Sequence, residues 1–301
     1  MGNKDRALAT RTIVVWGTGL VLVAAAAATL LLALLGGGTP ADSARLDALR
    51  TAASIVVGTG GAAALLLAAR RQRWAELDLE QKEHDATERR VTEMYSRAAD
   101  QLGSDKAPVR LAGLYALERL AQSHQEQRQT IVNVVCAYLR MPFKPSARGT
   151  AEELQVRKTA QRILMLHLRP ANEGSYWPDI DLDVSGATLV EPAWTYCTIR
   201  SLRCDDVTFV GSATFRGTRF GTKADFDGAR FKGPAEFRGV VFGAANDSFA
   251  GVSFEGPTHF STDSAARLAG ARATSGAGHT WPAGWVEGPV GEDGMAALLQ
   301  G

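Results

Sequence analysis

Residues 213–242 read ATFRGTRFGTKADFDGARFKGPAEFRGVVF, with Phe at 215, 220, 226, 231, 237 and 242. The gaps alternate between five and six. A helix turns about 500° in five residues, so successive rings would sit roughly 140° apart on its surface. A Gly in almost every unit would also cost a helix about 1 kcal/mol each against Ala. A flat strand fails too, because odd spacings send neighbouring rings to opposite faces. What keeps every ring on one side is a short extended face with two inward side chains, a corner, and then another such face. Gly or Asp at the corner tolerates the positive φ that a sharp turn requires.

The pattern extends well beyond the quoted stretch. Ten of the 11 Phe lie between Phe209 and Phe260. Two positions before each stands a small or β-branched residue: Val207, Ala213, Thr218, Ala224, Ala229, Ala235, Val240, Val252 or Thr258, with Asp247 alone departing. Upstream the register runs in strict fives through Val184, Leu189, Trp194, Ile199, Cys204 and Phe209. The predicted core of the repeat is therefore Val184, Leu189, Trp194, Ile199, Cys204, Phe209, Phe215, Phe220, Phe226, Phe231, Phe237, Phe242, Phe249, Phe254 and Phe260. Winding these faces gives a parallel β-coil filled by Phe, with turns about 4.8 Å apart.

ATFRG, ADFDG, ARFKG and AEFRG resemble the pentapeptide repeat, and DLDVSGATLVEP resembles its leucine-centred form. The likeness covers residues 181–260 in roughly 15 units. It implies a right-handed quadrilateral β-helix with four units per turn, hence nearly four turns. Six-residue units, a seven-residue gap from Phe242 to Phe249, Pro192 in a small slot and Cys204 at a centre depart from the pattern and imply bulged corners. With YSRAADQLGSDKAPVRLAGLYALERLA upstream, the whole arrangement is similar to membrane-anchored bacterial pentapeptide-repeat proteins.

Before the repeat the chain changes character. Residues 1–12 form a basic N-terminus, and residues 13–35 carry no charge over 23 positions, enough for a helix to span roughly 35 Å. This run is too long for the apolar core of a secretory signal. A second uncharged run, 51–69, follows the loop 36–50, with Gly58, Gly60, Ala62 and Ala64 at spacings that allow close helix approach. Two transmembrane helices are expected, in contact with membrane lipid. Flanking Lys4, Arg6, Arg11, Arg70, Arg71 and Arg73 favour cytoplasmic N- and C-termini in a two-span cell-membrane protein. Gly58, Gly60 and Ala63 also match a dinucleotide-binding turn, but no alternation of strands and helices follows them.

Residues 70–101 alternate in charge along a helix. Trp74, Leu77, His84, Val91, Tyr95, Ala98 and Leu102 form a seven-residue seam, interrupted by Gln81 and Glu88. A solvated helix is the simpler reading and a weak coiled coil the sharper one. Residues 102–175 predict a small helical bundle, with Thr150 and Glu153 as a capping box. The repeat itself is placed at 176–262. The tail 263–301 either covers the open end of the coil through Trp281 and Trp285 or is disordered.

Formal net charge is +1, from 33 basic and 32 acidic side chains, so no global attraction to nucleic acid is expected. Outward repeat positions, with Asp247 counted among them for its charge, carry 11 acids and eight bases, too balanced for the acidic rod by which some pentapeptide proteins imitate DNA on type II topoisomerases. Cys136, Cys197 and Cys204 make no disulfide framework, and His84, His124 and His167 occur singly. No catalytic, cofactor or metal residues are read. The expected function is a non-enzymatic, membrane-tethered scaffold for an unknown protein partner, with oligomerisation through the charged helix or the coil. The alternatives are a topoisomerase-binding DNA mimic and a membrane sensor.

Overall fold

The computed structural model describes residues 40–243 and 247–301, with 18–19, 22–24, 26–27, 29–30 and 33. The chain divides into two compact units, Met1–Asp85 and Ala86–Gly301. Helix α1, Pro40–Leu102, runs unbroken for 63 residues. It takes in residues 40–50, read above as a loop, and the Gly58–Ala63 segment, which is therefore mid-helix rather than a phosphate-binding turn.

The membrane expectation is overturned. Among the described residues, no helix is long and apolar enough to cross a bilayer. Within 51–69 only Ile55, Val56, Val57, Leu65, Leu66 and Leu67 are large aliphatics, and the remaining Ala, Gly, Ser and Thr bury little apolar area. The first expected span, 13–35, falls largely outside the described residues. The two-span placement with cytoplasmic termini loses its basis with the spans.

The heptad seam divides as well. Trp74 and Leu77 are exposed, whereas Val91, Ala98 and Leu102 are buried in the core of the second unit. That core also takes one face each of α2 (Ala107–Ser123), α3 (Arg128–Arg140) and α4 (Ala151–His167). Thr150 makes no capping bond to α4. Its hydroxyl donates to the carbonyls of Ala147 and Pro145, at 2.8 and 3.1 Å. Glu153 is drawn instead to Arg157 (2.6 Å), Arg110 (3.0 Å) and the Tyr138 hydroxyl (2.8 Å). Arg157 is almost fully buried and also donates to the carbonyls of Leu139 and Met141, both at 2.9 Å. A buried guanidinium needs such partners, and Glu153 is worth more there than at the helix end.

From Asp181 the chain winds into a β-solenoid of about four turns. One face holds β1 (Asp181–Asp183), the second half of β3 (Thr198–Arg203), the end of β6 (Arg219–Asp225) and β10 (Asp247–Ser248), all parallel. The second holds β2 (Thr188–Val190), β4 (Thr208–Val210), β7 (Arg230–Phe231), β11 (Ser253–Phe254) and β13 (Arg272–Thr274). The third holds β5 (Ala213–Thr214), β8 (Ala235–Phe237) and β12 (Thr258–Phe260). The fourth pairs the starts of β3 and β6 with β9 (Val241–Phe242).

Turn length follows the unit lengths. The register advances 20 residues at Asp181↔Ser201, 22 at Ala213↔Ala235, 23 at Ala235↔Thr258 and 19 at Ser253↔Arg272. The extra residue of one six-residue unit sits in a register shift between Ile199 and Ser201. There the Thr222 hydroxyl donates to the Arg200 carbonyl at 2.9 Å. The seven-residue gap contains residues outside those described.

The predicted centres fall into four columns. Val184, Cys204, Phe226 and Phe249 form one, and Leu189, Phe209, Phe231 and Phe254 the second. Trp194, Phe215, Phe237 and Phe260 form the third, and Ile199, Phe220 and Phe242 the fourth. Every one is at most 1 % exposed except Phe242, which is only partly buried on the last strand of its face. Rings stack along a column, as Phe209 on Phe231 (4.4 Å) and Phe237 on Phe260 (4.6 Å). They meet edge-on between columns, as Phe215 with Phe226 at 90°. Both arrangements suit the ring quadrupole. Asp247, counted above among outward acids, occupies an inward slot at 6 % exposure. Its carboxylate accepts the Arg267 N–H at 2.8 Å.

Both ends of the coil are covered, which removes the open edges that invite strand addition. At the first turn the Gln129 amide both accepts from the Asp181 N–H and donates to its carbonyl, each at 3.0 Å, as a neighbouring strand would. Gln161 reaches the Val190 carbonyl (3.4 Å), Arg169 the Thr195 carbonyl (2.8 Å), and the Leu168 carbonyl takes the Thr198 N–H (2.8 Å). Each face is thus met by the helical segment. Buried His167 secures this junction. Its ring stacks on Trp177 at 3.8 Å, and its nitrogens lie 2.5 Å from the Ser175 carbonyl and 2.8 Å from Glu118. At the far end β15 (Met295–Gln300) pairs antiparallel with β13, and β14 (Trp285–Val290) pairs with β15. Trp281 packs near Phe254 and Phe260, at 5.7 and 6.1 Å. Pro289 and the irregular register after Glu287 blunt the β14 edge.

The three cysteines are buried free thiols. Burial pushes Cys136 and Cys197 from 9.0 up to about 12, and Cys204 well above 9.0. Native protein at about pH 8 should leave all three unmodified by iodoacetamide, and denatured protein should modify all three. A raised acid pKa keeps the proton in the folded state, so the unfolded chain ionises first. The stability these thiols contribute is full below about pH 9 and falls as pH rises from about 9 towards about 12. A urea midpoint that stays constant over that alkaline range would contradict their burial.

Candidate interaction surface

The core side chains point inward, so any site on the coil is built from the residues between them. On the first face the acids are neutralised locally. The Asp181 carboxylate accepts Arg200 Nε at 2.8 Å and the Ser201 hydroxyl at 2.6 Å, and the guanidinium holds it below the usual carboxylate range. Lys223 pairs with Asp225 at 2.6 Å, and Arg203 lies within 3.8 Å of both Asp183 and Asp205. Burial, reinforced by Asp225, pushes Asp205 up. On the third face Arg238 clamps Glu236 through Nε at 2.7 Å and holds it low. The second face is milder, with Thr188, Val190, Thr208 and Val210 giving way to Arg230, Lys232 and Glu255.

A groove of about 200 Å³ lies between α4 and the first turn, lined by Lys158, Gln161, Arg162, Met165, Val190, Glu191 and Ala193. Lys158 and Glu191 pair at 2.7 Å, and the lining includes no Ser, Cys or His. Among the described residues no three His, Cys, Asp or Glu converge as metal ligands. His84 lies in α1, His124 directly follows α2 and His167 ends α4, each about 40 residues from the next in sequence. His167 is committed to Trp177 and Glu118.

Comparison of the chain with protein-family models, curated proteins and solved structures gives no match.

Two features of the surface escaped the sequence reading. The first is the set of edge-covering side chains, Gln129, Gln161 and Arg169, whose partners lie 26–52 residues away and leave no local signal. The second is Tyr196, 61 % exposed at a corner with φ +54°. It did leave a trace: Tyr stands two places after the centre Trp194, where ATFRG and AEFRG have Gly217 and Gly239.

Proposed function

We propose that this chain is a non-enzymatic interaction scaffold of the pentapeptide-repeat type, presenting a rigid β-solenoid to a protein partner. The observation that supports it best is a core of four stacked columns covered at both ends, which leaves flat, firmly held outer faces. Such faces bind by shape and by placed side chains, at little ordering cost on association. The DNA-mimic alternative needs uncompensated acids, yet Asp181, Asp183, Glu191, Asp225 and Glu236 all have basic partners.

The test is photo-crosslinking in cells from positions 210, 232 and 255 on the second face and 214 and 236 on the third. A discrete adduct from one face, absent from a buried control at 231, is the expected result. Adducts no stronger than that control from every outward position would overturn the scaffold reading. Inhibition of supercoiling by the purified chain would replace it with the topoisomerase reading.

A further inference from the structure

Among the described residues, four other than Gly adopt positive φ: Asp179, Glu191, Tyr196 and Asp206. Asp visits this region readily through local hydrogen bonding, and Glu191 gains Lys158 as a partner. A bulky aromatic there is an outlier, and such outliers gather at functional positions. The same corner in the next two turns holds Gly217 and Gly239 at φ +66° and +69°. Register places them in line, since the Tyr196 N–H donates to the Arg216 carbonyl and the Gly217 N–H to the Arg238 carbonyl, both at 2.9 Å. The Tyr196 ring lies flat along the corner, where a Cβ on Gly217 would stand only 2.5 Å from Cδ1.

Arg216 and Arg219 flank Gly217, both exposed. Arg219 lies opposite Thr198 and Val241 on the neighbouring strands. Neither guanidinium has a carboxylate within ion-pair distance among the described residues. Arg200, Arg203, Lys223 and Arg238 on the same coil are all paired. An exposed aromatic ring seated over Gly217 and two free guanidinium groups make up the Tyr- and Arg-rich composition of binding hot spots.

We propose that this corner is the docking site for an acidic, extended segment of a partner protein. Its carboxylates pair with Arg216 and Arg219, and its chain lies across the exposed Tyr196 ring. Two free cations require anions, and planar guanidinium groups suit carboxylates in particular. The remaining outward charge of the coil is acidic in excess, which opposes a long phosphate polymer but admits a short acidic stretch. The proposal rests on the scaffold reading and names the chemistry of its partner.

The test titrates the full chain against a fluorescein-labelled oligoglutamate peptide, with oligolysine and a single-stranded oligonucleotide as comparisons. Saturable binding to oligoglutamate alone is expected. It should weaken about tenfold or more in the Arg216→Glu, Arg219→Glu double variant and severalfold in Tyr196→Gly. Tyr196→Gly should unfold no earlier than the parent, because Gly is the residue this backbone favours. No binding, unchanged affinity in either variant, or equal binding to the oligonucleotide would overturn the proposal. Any of these would leave the scaffold reading standing on its other faces, whereas a blank photo-crosslinking result would remove both.

Discussion

Phe231→Ala is expected to destabilise the solenoid by about 3–5 kcal/mol, measured as the shift of the urea unfolding transition followed by circular dichroism. Phe231 stacks on Phe209 at 4.4 Å below and on Phe254 at 5.1 Å above. It also meets Phe237 edge-on at 5.6 Å, and none of its surface reaches solvent. Truncation would leave a void bounded by rings that cannot move, because each is fixed to a strand of a parallel ladder. Phe242→Ala should cost no more than about 2 kcal/mol. Phe242 ends its column, is already partly exposed, stacks on Phe220 at 5.7 Å and meets Phe249 edge-on at 5.9 Å. Equal losses for the two variants would mean that the columns are not what holds the coil.

Gly233→Ala should cost about 3 kcal/mol, although the change adds a single methyl group. A Cβ at Gly233 would stand 2.5 Å from the Gly211 carbonyl oxygen and 2.8 Å from its carbon. The obstruction is backbone, so no rotamer change relieves it. Nor can the turns separate, because Lys232 N–H donates to the Phe209 carbonyl at 2.9 Å and β4 pairs directly with β7. Ser212→Ala, on an exposed position of the same corner, should change stability by about 0.5 kcal/mol or less. Comparable midpoints for the two variants would show that the corners give way and that turn spacing is not rigid.

The coil could be read from the chain because its constraint is local and repeated. Each unit must point two side chains inward and then turn, so large centre, small slot and corner residue recur within five or six positions. Asp247 broke that reading because its charge was taken as a mark of exposure. The slot buries it, and the Arg267 N–H makes the burial tolerable. The Thr150–Glu153 pair misled for a related reason. A capping box is one local use of a Glu, but Arg157, Arg110 and Tyr138 converge on Glu153 from three other places in the chain. The uncharged run 51–69 misled through composition, since absence of charge is weaker than the presence of large apolar side chains.

By itself the sequence determined the period, the inward and outward sides, and the near-neutral outer charge, all of which follow from side-chain size and backbone freedom within a single unit. Tertiary structure alone decided which residues cover the ends of the coil, which outward charges cancel, and that Tyr196 and two unpaired arginines share one corner. Those are matters of what lies one turn away, roughly 20 residues along the chain, and the pattern inside one unit carries no information about its neighbour above or below.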